Sequence, residues 1–326
     1  MPDRPVAVYA RQRLAEYHFG DSHPFGPQRY AAFMGGLQSS GVATRVAMEG
    51  TAEARPEDIL LFHEPIHLEH VRECSLTGEG HLDMGDTPAR RGIYEAAACV
   101  VGTVLRATAD LVAGRYRRAF VPIAGLHHAA REMAAGFCVF NDIGIAIEAL
   151  RHRHGVRRVA YVDIDAHHGD GVFYGFEYDA ELIFVDLHED GRYLYPGTGR
   201  LDEIGLGEAE GTKLNLPLDM NAGDEEFLEA WTEGAAFLRE FQPEFIILQA
   251  GADCLAGDPI THLKCSSAVH RQVTRDLCAI ADDYGQGRLL GLGGGGYNLA
   301  NIAEAWVAVV EEMVACTPAA AAGGAG

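Results

Sequence analysis

Asp163, Asp165 and His167 stand two residues apart inside the run Tyr161-Val-Asp-Ile-Asp-Ala-His-His-Gly-Asp-Gly171. In extended chain, residues two apart point to the same side, so these side chains could be presented together. An Asp-x-His pair offers two ligands to a divalent metal. Asp253, at the end of another apolar run, could add a third and leave a fourth position open to water, as a catalytic zinc requires. Standing alone, one Asp-x-His reads as a solvated strand end, but here paired histidines occur a second time, in Gly125-Leu-His-His-Ala129.

Two carboxylates and one imidazole cancel the charge of Zn²⁺, so the metal would acidify a bound water less than three neutral histidines allow. Such a site needs help. His127 and His128 can supply a general base and a general acid if each imidazole is oriented by a carboxylate, with Asp163 and Asp170 as candidates. A buried structural pair is the alternative. Gly293-Gly-Gly-Gly-Tyr297 lacks the Lys and Ser/Thr of a phosphate loop and does not match the dinucleotide fingerprint. Its glycines instead permit close backbone approach to a metal, with Tyr297 as an oxyanion donor or, more plainly, as a packing residue beside a tight turn.

These residues need a frame that brings them together. Short apolar runs at Val6–Tyr9, Phe120–Ile123, Val159–Val162, Leu182–Val185, Phe245–Gln249 and Leu289–Leu292 are bounded by Gly, Asp or His. Between them lie segments of helical period, among them Ile143–His154, Phe227–Phe241 and Leu299–Val314. The pattern predicts an α/β domain, a mostly parallel sheet with helices on both faces. His127-His128, Asp163 to His167, Asp186-Leu-His188, Asp253 and Tyr297 all follow or close such runs. The carboxyl edge of an open α/β sheet is where ligands bind, so one crevice could collect them all.

Composition sets the outer limits. The 326 residues carry 48% apolar and 22% charged side chains, which is globular composition. A net charge of −21 disfavours direct binding to nucleic acid or anionic membrane and suits a cationic substrate, although many acidic enzymes carry such charge for solubility alone. Seven cysteines without a Cys-x-x-Cys pair suggest neither a disulfide framework nor a cysteine zinc site. No apolar leader and no run of 18 apolar residues is present, so a cytoplasmic location without a membrane partner is expected. One domain over 1–316 and a disordered Ala/Gly tail over 317–326 are expected, with nothing to fix an oligomeric state.

Six blocks in order carry a resemblance: Gly125-Leu-His-His-Ala, Gly136-Phe-Cys-Val-Phe-Asn-Asp142, Tyr161 to Gly171, Tyr195-Pro-Gly-Thr-Gly199, Gly251-Ala-Asp-Cys-Leu-Ala-Gly-Asp-Pro259 and Leu292-Gly-Gly-Gly-Gly-Tyr-Asn298. From about Val6 to Met313 the chain resembles the histone deacetylase family, closer to its class I and acetoin-utilisation-type branches than to the acetylpolyamine branch. The resemblance implies an arginase/deacetylase-like fold in which Asp165, His167 and Asp253 hold Zn²⁺, with Fe²⁺ also permitted by the ligand types. It implies that His127 and His128 work with Asp163 and Asp170, and that Tyr297 polarises the carbonyl. Gly136, Phe137 and Tyr195 would wall a narrow tunnel, Asp86 would sit at its rim, Arg29 near its foot, and Ile260 and Gly295 would complete the substrate contacts. A structural K⁺ is implied around Asp163, Asp165, His167, Asp186 and Leu187.

Two departures stand out. Asp186 occupies a position where serine is usual in the family, and Tyr195 one where phenylalanine is common. The reaction expected from the resemblance is hydrolysis of an acyl-lysine in a protein or peptide, with His128 preferred over His127 as the base. Hydrolysis of acetylated polyamines or another small acylated amine is the rival, and a non-catalytic acyl-lysine binder the weaker one, since every catalytic position is filled.

Overall fold

A computed structural model describes residues 5–317. Beyond Thr317, the expected Ala/Gly tail lies outside the described residues. Eight strands, β1 (Val6–Tyr9), β2 (Ala47–Glu49), β3 (Arg118–Val121), β4 (Val159–Asp163), β5 (Leu182–Glu189), β6 (Lys213–Leu218), β7 (Phe245–Gln249) and β8 (Leu289–Leu292), form one sheet in the order β2-β1-β3-β8-β7-β4-β5-β6. Every neighbouring pair is parallel. The expectation of a mostly parallel sheet is therefore met in full.

The helices are α1 (Gln28–Ser39), α2 (Pro56–Ile59), α3 (Pro65–Thr77), α4 (Ile93–Val112), α5 (Asp142–His154), α6 (Asp170–Gly175), α7 (Asp224–Phe241), α8 (Ser267–Tyr284) and α9 (Leu299–Ala315). They pack as two groups, α1 on α9 on α8 on α7, and α3 on α4 on α5, with β8 between α4 and α8. Every residue of β4 and β7 is buried, the mark of strands covered on both faces. None of the described helices is long and apolar enough to cross a membrane.

Local chemistry sets the helix ends nearest the strand tips. Asn141 caps α5 by accepting the Gly144 N–H at 2.9 Å, and Gly155 ends that helix in the left-handed region at φ 68°. Asn298, next to Tyr297, caps α9 through the Ala300 N–H at 3.0 Å. Both caps fix where the preceding loop stops and hence where its side chains project.

The structure adjusts several sequence boundaries. The strand expected over Phe120–Ile123 is Arg118–Val121 instead, because Ile123 turns out of the sheet at φ 65°. Arg118 enters the sheet although charged, since its guanidinium reaches Asp282 at 2.9 Å and the Cys278 sulfur at 2.9 Å on α8. β5 runs four residues past Val185 and so takes Asp186 and His188 into the sheet itself. β2 and β6 carry too little apolar signal to be read beforehand, and β6 contains Pro217, tolerated because it is an edge strand.

Lys213 opens β6 with its ammonium almost wholly buried. It donates to the Asp179 and Leu182 carbonyls at 2.8 Å each and to Thr212 Oγ1 at 2.7 Å. Burial lowers its pKa to about 8, so it stays protonated at neutral pH, with three acceptors matching its three N–H donors. The cation thereby ties the turn before β5 to the sheet edge. Replacing it by an apolar side chain leaves buried carbonyls unpaired, at a cost of roughly 1–3 kcal/mol. Lys213→Met is expected to lower the midpoint of urea unfolding, followed by circular dichroism, and an unchanged midpoint would show that this cage contributes nothing to stability.

Candidate metal centre and its cavity

The sheet's carboxyl edge gathers the chemistry-bearing residues named from sequence. β4 ends at Asp163, β5 carries its register partner Asp186, and β7 ends at Gln249, four residues before Asp253. Asp165, His167 and Asp253 converge, all buried, with one ligand atom from each within 4.8 Å of the others. His167 Nδ1 lies 3.0 Å from Asp165 Oδ1 and 3.2 Å from Asp253 Oδ2. The three expected ligands therefore form one cluster with donor atoms facing inward.

Its electrostatics call for positive charge. Against the cost of burial, hydrogen bonds to Asp165 and Asp253 raise His167 to about 10. Burial and the nearby Asp165 charge raise Asp253 to about 7. Two carboxylates and an imidazole packed this way suit a divalent cation, which removes the repulsion and takes all three lone pairs at once.

The carboxylates are also aimed from behind. Asp165 Oδ2 accepts from Gln249 Nε2 at 2.7 Å and from the Gly295 N–H at 2.8 Å, while Asp253 Oδ1 accepts from the Ala166 N–H at 3.0 Å. Gln249 was not singled out from the sequence. Its signal was available as a polar residue ending a wholly apolar strand, Phe-Ile-Ile-Leu-Gln.

Beside this cluster stand two imidazole and carboxylate pairs. His127 Nδ1 lies 2.7 Å from Asp163 Oδ2, His128 Nδ1 lies 2.6 Å from Asp170 Oδ1, and the two Nε2 atoms are 3.0 Å apart. The partner choice left open by the sequence resolves as His127 with Asp163 and His128 with Asp170. Burial and the neighbouring His127 lower the pKa of His128, with Asp170 opposing, which favours a neutral ring able to accept a proton. Asp163 also accepts from the Tyr161 hydroxyl and from the Asp165 N–H at 3.0 Å.

Asp186, the departure noted above, is fully engaged. One oxygen takes His188 Nδ1 at 2.7 Å and the other the Gly169 N–H at 2.8 Å. Against burial, Asp186 raises the pKa of His188, so a buried ion pair offsets the added carboxylate. Leu187 lies between the two on β5.

A cavity of about 190 Å³ opens onto the centre. His128, His167 and Tyr297 line it, together with Gly136, Phe137, Tyr195, Ile260 and the expected rim residue Asp86. Gly295 does not line it; its place is against the two carboxylates. Among the described residues the Tyr297 hydroxyl has no hydrogen-bond partner, and burial followed by the Asp253 charge holds it well above the usual tyrosine range and hence protonated. Arg29 braces the glycine loop by donating to the Gly296 and Gly294 carbonyls at 2.8 and 2.6 Å.

A Cβ at Gly295 would collide with Oδ2 of both Asp253 and Asp165. Gly295→Ala is therefore expected to weaken bound divalent metal by about tenfold or more, given what displaced supporting contacts cost elsewhere. Metal titration of the folded variant checks this, and unaltered affinity would mean that the loop yields.

The family described as "Histone deacetylase domain" matches residues 23–313. The acetoin utilization protein AcuC of Bacillus subtilis (strain 168) is 34% identical over 311 residues, covering 93% of this chain and 80% of that protein. Histone deacetylase 8 of Xenopus tropicalis is 34% identical over 302 residues, covering 89% and 79%. The crystal structure of the HDA15 HD domain superposes with a TM-score of 0.86 at 27% identity, covering 95% of this chain and 89% of that one.

Proposed function

The chain belongs to the histone deacetylase family and is a lysine deacetylase of that hydrolytic type, and we propose that it removes short acyl groups from lysine side chains of proteins or peptides by zinc-dependent hydrolysis. The observation that carries this reading is a single cavity lined by His167 of the buried Asp165–His167–Asp253 group, by a carboxylate-oriented histidine and by the tyrosine whose hydroxyl is unpartnered. The catalytic domain is taken as 1–316, and the location as cytoplasmic.

Asp165, His167 and Asp253 would hold Zn²⁺, which supplies Lewis acidity toward the amide carbonyl and water when bound, and Fe²⁺ suits the same ligands. His128, oriented by Asp170, takes the proton of the attacking water. The Tyr297 hydroxyl donates to the oxyanion as the carbonyl carbon becomes tetrahedral. Once protonated, His128 carries a positive charge and returns that proton to the departing amine, its Nε2 lying 3.0 Å from the His127 Nε2. His127 with Asp163 is the electrostatic partner that stabilises this charge. The C–N bond breaks as the proton reaches nitrogen, leaving a carboxylate and a free lysine.

A K⁺ beside Asp163, Asp165, His167, Asp186 and Leu187 belongs to the same proposal. Burial, Asp186 and Asp165 push the Asp163 carboxyl well above its usual range, and a neighbouring monovalent cation would relieve that crowding. The His188 ion pair already offsets the Asp186 charge, which lessens what the cation must neutralise.

The cavity is lined by Phe137 and Tyr195, whose aromatic rings suit an aliphatic lysine stem. Ile260 offers no charge to the second ammonium of a polyamine, whereas Asp86 can accept hydrogen bonds from a peptide backbone. The −21 surface charge attracts lysine-rich chains and polyamines alike, and its reach of about 8 Å at physiological salt affects encounter more than choice. It also disfavours direct nucleic-acid binding.

Tyr297→Phe is expected to keep its metal and KM while kcat falls by roughly a hundredfold, the scale of one lost oxyanion donor. Turnover near wild type would assign the oxyanion to another group. An acetyl-lysine peptide should show a higher kcat/KM than N-acetylated putrescine or spermidine at matched ionic strength, and a clear advantage for either polyamine would transfer the assignment to small acylated amines.

A further inference from the structure

The rim acid Asp86 and the wall residue Phe137 are 51 residues apart in sequence, and one hydroxyl joins them. Thr87 Oγ1 accepts the Phe137 N–H at 3.0 Å and donates to Asp86 Oδ1 at 3.3 Å. Thr87 is fully buried although the loop residues before it, Met84 to Asp86, are exposed. Its own backbone is tied as well. The N–H donates to Asp83 Oδ1 at 3.0 Å, and the carbonyl accepts from the Leu82 N–H at 2.8 Å.

Phe137 needs such support. It sits at φ 67°, a left-handed conformation that a bulky non-glycine residue seldom adopts. Side chains hold its backbone at both polar groups: Thr87 takes the N–H, and the Tyr17 hydroxyl donates to the carbonyl at 2.7 Å. On its other side, Gly136 presses so closely on the His128 ring that a Cβ would collide with it. The wall turn is therefore wedged between the histidine and the rim loop. Burial and Asp83 raise Asp86 to about 6, and the Thr87 hydroxyl works against that shift by donating to the carboxylate.

We propose that Thr87 is a positioning residue that sets the separation between the rim carboxylate and the cavity wall, so that a peptide can meet Asp86 while its acyl-lysine stem passes Phe137. This role rests on the acyl-lysine reading of the centre. An isosteric valine removes donor and acceptor together and leaves the Phe137 N–H without its partner, so the loss falls on substrate engagement.

The test is steady-state kinetics on an acetyl-lysine peptide with Thr87→Val, Thr87→Ser, Asp86→Ala and the Thr87→Val/Asp86→Ala double variant. Thr87→Val is expected to raise KM by about tenfold with kcat within about threefold, and Thr87→Ser, which keeps the hydroxyl, to restore KM to within about threefold of wild type. In the Asp86→Ala background the valine should add less than about twofold, because the two residues act as one unit. If Thr87→Val does not fold, Thr87→Ala carries the same comparison. An unchanged KM, a loss confined to kcat, or effects of Thr87→Val and Asp86→Ala that multiply would each overturn the role. Wild-type protein inert toward the peptide would overturn the acyl-lysine reading and this role together, whereas active wild type with an unaffected Thr87→Val overturns the role alone.

Discussion

Buried negative charge is the constraint from which the centre is built. Asp163, Asp165, Asp186 and Asp253 all lie within the protein with essentially no exposure. Isolated carboxylates in such surroundings would take up protons rather than stay charged. Each is instead met by an imidazole: His127 on Asp163, His167 on Asp165 and Asp253, and His188 on Asp186. Alternating acids and imidazoles thus hold acid and base in one dry region.

The sheet makes that arrangement possible. Parallel strands bring every carboxyl end to one edge, and the loops leaving β3, β4, β5, β7 and β8, with Asp86 from the loop between α3 and α4, supply the groups around the cavity. Glycines let the loops close in. The Gly294 N–H reaches the Ala124 carbonyl at 2.7 Å, so the loop after β3 and the loop after β8 are joined directly by backbone. The Trp306 indole on α9 donates to the Ala250 carbonyl at 3.1 Å and ties the outer helix to the strand that leads to Asp253.

Much of this was legible in the residues themselves. Strands β1, β7 and β8 have the expected bounds because apolar runs flanked by glycine or polar residues leave little freedom of register. The grouping of Asp165, His167 and Asp253 followed from period-two spacing and strand-end position, and these three do converge. What stayed hidden depended on partners distant in sequence. Arg118 is a charged residue whose place in a strand depends on acceptors on α8, and the partner of Gln249, Asp165, arrives from a neighbouring strand. Gly295 was grouped with substrate contacts, but its missing Cβ leaves room for carboxylates rather than for a substrate. Thr87 lies in the block Gly85-Asp-Thr-Pro88, which supports the resemblance, but its own role appears only once Phe137 folds against it.

The order of the strands across the sheet has a temporal consequence. Residues near the start of the chain, in β1, reach the central strands β7 and β8 only by way of β3, and Tyr297 lies beyond the last strand. A chain emerging from the ribosome therefore cannot close its central strands, or place the residue facing the cavity, until β8 and Tyr297 have been made. The centre then becomes complete only after β8 has emerged, and a chain cut short before it lacks the tyrosine that faces the cavity.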